Sequence, residues 1–226
     1  NPAVDRWLPT VLDTSLNRLH GHLHTDLDGD GRIDTLTASR EGVSLITARP
    51  AGGFQRKLIS RGADAEQPDA GGAGEIARGR LAAGGDFLVA VEPMHGSDLA
   101  VLIRGGTGQA EWLRGVIDSG YARGHAIATA DFDGDGGDEI VFGSSDPADK
   151  PGYGPTLAVY RRTVAPSPLT PAGWQRSVLD AGGTAVEAVA VGDLSGDGIP
   201  DIVAVGRATH NVKLFITSRT TSIAGR

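Results

Sequence analysis

The chain alternates short apolar runs, rich in Val, Ile, Leu and Thr, with punctuation by Gly, Asp and Pro. No stretch keeps helical periodicity over three turns, so the runs read as β-strands. They fall into four copies of one unit. Each copy starts on an aromatic residue followed at four, five and six residues by apolar, apolar, polar. The four are Trp7 with Val11, Leu12 and Asp13; Phe54 with Leu58, Ile59 and Ser60; Trp112 with Val116, Ile117 and Asp118; and Trp174 with Val178, Leu179 and Asp180. A second run follows at 19–25, 75–81, 125–130 and 186–192. A third lies at 35–39, 87–91, 140–143 and 202–206, and a fourth at 43–47, 99–103, 157–160 and 212–216.

Four short strands repeated at a spacing on the order of fifty residues are the mark of a β-propeller. The expected fold is all-β: four blades of four antiparallel strands in one domain over 1–226. The blades span about 14–60, 70–118, 122–180, and 184–217 plus 6–13. The chain opens on an aromatic strand and ends on a fourth run. That offset lets the N-terminal strand pair into the last blade and close the ring, removing exposed edges. A fragment of a longer propeller would show the same ends.

Between the second and third runs stands an acidic loop: DLDGDGRID at 26–34, DFDGDGGDE at 131–139 and DLSGDGIPD at 193–201. Carboxylates at loop positions one, three and five, with Gly at six, make an oxygen cage for a hard cation. Three structural Ca²⁺ ions are expected. Their side-chain ligands would be Asp26, Asp28, Asp30 and Asp34; Asp131, Asp133, Asp135 and Glu139; and Asp193, Ser195, Asp197 and Asp201. The carbonyls of Arg32, Gly137 and Ile199 would join them. A strand follows each loop directly, which excludes an EF-hand. The second unit has no such loop, and Ser195 should weaken the third site.

Net charge is −7, concentrated in these loops, and three divalent ions would cancel about six of those charges. No basic stripe is present, which disfavours a nucleic-acid partner. No apolar run is long enough to span a membrane. There is no Cys, so disulfides play no part. The chain starts Asn-Pro-Ala and reads as a mature or trimmed product. The calcium loops suit extracellular calcium levels, so a secreted or periplasmic location is expected.

The loops and strand pattern resemble the FG-GAP/VCBS repeat family, whose integrin-like blades carry such calcium loops. GEIARGRL at 74–81, FLVAVEPMHGSDLAVL at 87–102, RGHAIATADFDGDGGDEIVFG at 123–143 and GRATHNVKLF at 206–215 are similar to the propeller of the aldos-2-ulose dehydratase family. That resemblance implies a zinc-containing cleft acting on keto-sugars. The family's propeller has more blades and is followed by cupin domains, neither of which this sequence displays.

The loops also serve as a ruler. Six residues before each first Asp stand His20, His125 and Glu187, with Glu75 as the nearest equivalent in the second unit, shifted by one. In a propeller these positions start the inner strands and share one axial mouth. Imidazoles and carboxylates there suit Zn²⁺ or another divalent transition metal. His20, Glu75, His125 and Glu187 are therefore the expected axial ligands. His95, on a loop at the same mouth, is a candidate metal ligand or proton acceptor, and in the lyase reading it is the base. His125, Arg207 and His210 would complete the catalytic set. His22 and His24 would line the tunnel.

Two functions follow. The first is a metal-dependent carbohydrate lyase or dehydratase, acting on a keto-sugar at the mouth. The alternative is a non-catalytic, calcium-stabilised module binding glycan or protein. A carbohydrate or other small molecule is the expected ligand in the first case, and a protein partner is compatible with the second.

Overall fold

The computed structural model describes residues 8–63, 71–105, 111–165 and 167–218. Fifteen strands form four antiparallel sheets in propeller order, with no α-helix among the described residues. The first sheet is β1 (His22–Thr25), β2 (Asp34–Ser39), β3 (Gly42–Ala48) and β4 (Phe54–Ser60). The second is β5 (Ile76–Arg80), β6 (Asp86–Glu92), β7 (Asp98–Arg104) and β8 (Trp112–Asp118). The third is β9 (Gly124–Ala130), β10 (Glu139–Ser144), β11 (Thr156–Arg162) and β12 (Trp174–Ala181). The fourth is β13 (Val186–Gly192), β14 (Asp201–Gly206) and β15 (Asn211–Phe215). Each strand pairs with its neighbour in sequence, which is the simplest meander.

Side chains alternate along a strand, so each sheet offers one face to the preceding blade and the other to the next. Three apolar clusters fill the gaps. Leu36, Ala38 and Val43 meet Ile76, Leu88 and Leu102 between the first and second sheets. Phe87, Val89 and Val101 meet Ile140, Phe142 and Tyr160 between the second and third. Val141 and Leu157 meet Val186, Ile202 and Ala204 between the third and fourth. A polar knot reinforces the middle gap. Tyr160 donates to Asp118 at 2.7 Å, Tyr153 donates to it at 3.0 Å, and Arg176 Nε donates to the Tyr121 hydroxyl at 2.7 Å.

The expected closure of the ring is not seen. Trp7 lies outside the described residues, and residues 8–13 form no strand. Among the described residues the fourth sheet therefore pairs three strands, with β15 at its outer edge. The reason is local. The N-terminal segment is held on the first sheet, where Asp13 Oδ2 lies 3.5 Å from Arg56 Nε. Asn17 donates from its backbone and side chain to Glu41 at 3.0 and 2.8 Å. Burial opposes ionisation of Glu41, yet these bonds and one from Ser39 prevail and hold its carboxyl down at about 2. The outward face of the fourth sheet remains bare: Val205, Val212 and Leu214 are 40%, 67% and 53% exposed.

In the third sheet, the position matching Val212 is Leu157, which is fully buried under the fourth. We therefore expect Leu157→Ala to cost about 2–5 kcal/mol in denaturant unfolding. Val212→Ala should change stability by no more than about 0.5 kcal/mol. Equal losses would mean that a further sheet covers the fourth blade.

Candidate functional site

The inner strands β1, β5, β9 and β13 meet along the axis, and each begins with a β-bulge. In the third sheet Gly124 pairs with Ser144 and Ala126 with Gly143, leaving His125 as the extra residue. In the fourth, Val186 pairs with Gly206 and Ala188 with Val205, leaving Glu187. In the first, Ala38 receives a bond from His20 N and donates to Gly21 O, so two residues oppose one. Gly74 and Glu75 oppose Val91 in the same way. A bulge frees a residue from the alternation and re-aims its side chain. Here it turns four equivalent residues towards one another.

The loop after β6 supplies the fifth group. Gly124 N donates to Gly96 O at 2.9 Å and Tyr121 N to Ser97 O at 3.1 Å, which draws His95 onto the axis. The approach is close enough to require glycine: a Cβ on Gly74 would sit 3.0 Å from His95 N, and one on Gly124 3.0 Å from Gly96 O.

The outcome is a cluster of three imidazoles, His20, His95 and His125, whose nearest nitrogens all lie within 4.8 Å of one another. His20 Nε2 and His95 Nε2 are 2.9 Å apart. The His95 and His125 rings stack at 4.7 Å. Behind them stand the carboxylates. Glu75 Oε1 lies 2.7 Å from His20 Nδ1, and Glu187 Oε2 lies 3.0 Å from His125 Nε2. Glu187 in turn meets Arg207 Nε at 3.3 Å. His125 Nδ1 is buried with no hydrogen-bond partner. Beside the cluster, Glu75, His125, Ala126 and Glu187 line a cavity of about 140 Å³.

The placements refine those expected on sequence. His95 joins the imidazole set. Glu75 and Glu187 contact the imidazoles from behind. His210 is exposed on the turn after β14 and is not brought into the cluster. His22 and His24 pair with each other at 5.2 Å, outside it. Burial, reinforced by His20, His125 and Arg123, holds the His95 imidazole down at about 4. Burial pushes the Glu75 carboxyl up, against the pull of His20.

At the far end of the inner strands, about 20 Å away, the acidic loops share one backbone shape. The first Asp of each accepts from the glycines at positions four and six: Asp26 from Gly29 and Gly31, Asp131 from Gly134 and Gly136, Asp193 from Gly196 and Gly198. Those glycines have φ between 78° and 88°, where a side chain would be strained. Asp26, Asp28 and Asp34 bring carboxylate oxygens within 4.8 Å of one another, as do Asp131, Asp133 and Glu139. Burial pushes the Glu139 carboxyl up to about 7. The fifth-position acids are not in these groups, and Asp30 is taken by Arg32 Nε at 2.8 Å. The third loop, with Ser195, forms no such group among the described residues. In the second sheet the loop is replaced by a tight hairpin at 81–85. Arg80 of that sheet is stitched to Asp138 of the next blade's loop by bonds of 2.9 and 3.2 Å.

The fold and site thus define a propeller whose axis carries three imidazoles backed by two carboxylates. No protein-family model matches the chain, so the FG-GAP likeness stands on the loop motif alone. Among curated proteins, the chain is 34% identical over 143 residues to aldos-2-ulose dehydratase from Phanerodontia chrysosporium. The match covers 55% of this chain and 16% of that protein.

Sequence reasoning missed the bulges, which leave no residue signature, and it missed Arg123. A signal for Arg123 was present, since Arg18 precedes His20 by the same two residues. The low His95 value carries a testable sign. An unfolded histidine takes up its proton near 6.5, and the folded one only near 4. The stability this contributes is present in full above about pH 6.5 and is lost as pH falls through about 4. His95→Gln should flatten unfolding free energy against pH across that window. An NMR titration in the metal-free protein should find the His95 ring neutral at pH 5.5; a charged ring there would refute the burial argument.

Proposed function

We propose that this chain is a metal-dependent carbohydrate lyase of the dehydratase type, acting on a keto-sugar at the axial mouth. The observation that carries the reading is the triple imidazole cluster with an orphaned, buried His125 Nδ1. Three imidazoles backed by carboxylates fit a catalytic zinc site, in which three protein ligands leave a fourth position open. The partial likeness to a sugar dehydratase supplies the substrate class.

His20, His95 and His125 would hold a divalent transition metal, Zn²⁺ foremost. Bound there, the metal would supply Lewis acidity towards the substrate's ketone oxygen. Glu75 and Glu187 fix the rings of His20 and His125, the arrangement that sets imidazole tautomer and basicity around metals. Glu75 has the second role. It borders the cavity, and burial pushes its carboxyl up from the ordinary carboxylate range, which strengthens it as a proton acceptor. It takes the proton from the carbon next to the ketone. The C–H electron pair moves into a new C=C bond, and the β-hydroxyl departs as water with the proton that Glu75 has accepted. Arg207 keeps Glu187 in place and faces solvent at the rim.

The acidic loops at 26–34 and 131–139 would hold Ca²⁺ as structural clips, with a weaker site at 193–201. Their carboxylates converge and their backbone is already bent for the ion. Calcium at a hundred times its dissociation constant should stabilise the fold by about 2.7 kcal/mol per site. A calcium titration followed by thermal unfolding should show this, with Asp131→Asn and Asp26→Asn each removing one increment. An unchanged melting temperature would remove the clip role.

The lyase reading is tested by metal analysis after dialysis against a weak chelator. About one transition-metal ion per chain should remain, lost in His20→Ala and His125→Ala. Incubation with an aldos-2-ulose should then develop enone absorbance, which Glu75→Gln should reduce by about 10²-fold or more. Calcium alone, with no enone, would favour a non-catalytic binding module.

A further inference from the structure

Arg123 is placed beside the imidazole cluster with no side-chain partner among the described residues. Its Nε is buried without a hydrogen-bond partner, and its guanidinium makes no hydrogen bond or ion pair among the described residues. Arg207, by contrast, is tied to Glu187. The backbone of Arg123 is left-handed, with φ 57°. Bonds on both sides pin it: Tyr121 N to Ser97 O, Gly124 N to Gly96 O, Ser145 N to Arg123 O and Asp146 N to Ala122 O. Among the described residues the other left-handed non-glycine positions are Arg18, His95 and His210, all on segments of the same mouth. Strain of this kind persists where the surroundings over-determine it, and it gathers at functional sites.

A buried donor left unpaired is costly, so an unpaired arginine at a site needs an account. The charges supply one. Arg123 and Arg207 balance Glu75 and Glu187. A divalent ion on the three imidazoles leaves a surplus of positive charge with no side chain among these to meet it. In a half-buried site such a surplus is strongly unfavourable unless an anion fills it. A single planar guanidinium is the partner that matches a carboxylate through two parallel hydrogen bonds.

We propose that Arg123 is the specificity-determining residue of the mouth and holds the carboxylate of an acidic keto-sugar, a ketoaldonic or ketouronic acid, seated over the three imidazoles. The inference rests on the metal reading above for its charge balance, and on the unpaired guanidinium independently of it.

The test is calorimetric titration of the zinc-loaded protein with 2-keto-D-gluconate and with D-fructose, which present the same ketone with and without a carboxylate. The acid should bind at least about tenfold more tightly. Arg123→Gln should abolish the preference while the metal content stays as in the wild type. Should Arg123→Gln fail to fold, Arg123→Lys keeps the charge but loses the fork, and the preference should fall at least about threefold. Equal affinities in the wild type, or a preference that survives in Arg123→Gln, would overturn the proposal. A chain that takes up no transition metal yet prefers the acid through Arg123 would sink the metal reading alone.

Discussion

Face-to-face packing of sheets is the constraint on which the rest of this structure depends. Each blade is a meander that cannot bury both of its apolar faces alone. Stacking buries Leu36 against Leu88, Val89 against Phe142, and Leu157 against Val186. Because the side-chain period is two, this contact also fixes the register of every strand. The inner strands then have no freedom in where they start and end. One end meets the acidic loops, and the other meets the mouth.

The functional groups use a local breach of that rule. A residue in strict alternation at the start of an inner strand would point into a neighbouring blade. The bulges at His20–Gly21, Gly74–Glu75, His125 and Glu187 release one residue per blade from the alternation. Rigid sheets thus hold the side chains of a polar cluster where the inner strands of apolar-packed blades converge. Enclosure then shapes the chemistry. The same burial that holds the His95 imidazole down lifts the Glu75 carboxyl, so enclosure moves an acid and a base of one cluster in opposite directions.

The two ends of the inner strands divide the labour. Acidic loops at one end converge carboxylates on bent, glycine-hinged backbone, and the Arg80–Asp138 pair ties one such loop to the adjoining blade. At the other end imidazoles, carboxylates and arginines gather, with His95 and Arg123 on left-handed backbone. The mouth carries the left-handed non-glycine residues found among the described residues, together with the unpaired Arg123 Nε and His125 Nδ1. A propeller permits this because its mouth is assembled from several blades, each supported by its own sheet.

Sequence by itself determined the strand runs, the four-unit repeat, the acidic loops and the register that singles out His20, His125 and Glu187. Those features are local, written in residue type and spacing. The loop at 131–139 served as the ruler for the site rather than as the site itself. Only the tertiary structure decided that His95 would join the cluster, that Glu75 and Glu187 would stand behind it, and that Arg123 would be left unpaired. It also decided that residues 8–13 would form no strand and that Asp13 and Asn17 would be tied to the first sheet, although the apolar pattern of 8–13 matches that of β8 and β12. The physical reason is common to all of these. A bulge, a loop drawn in over a glycine, and a choice between two sheet surfaces depend on what arrives from elsewhere in the chain, and no window of sequence contains it.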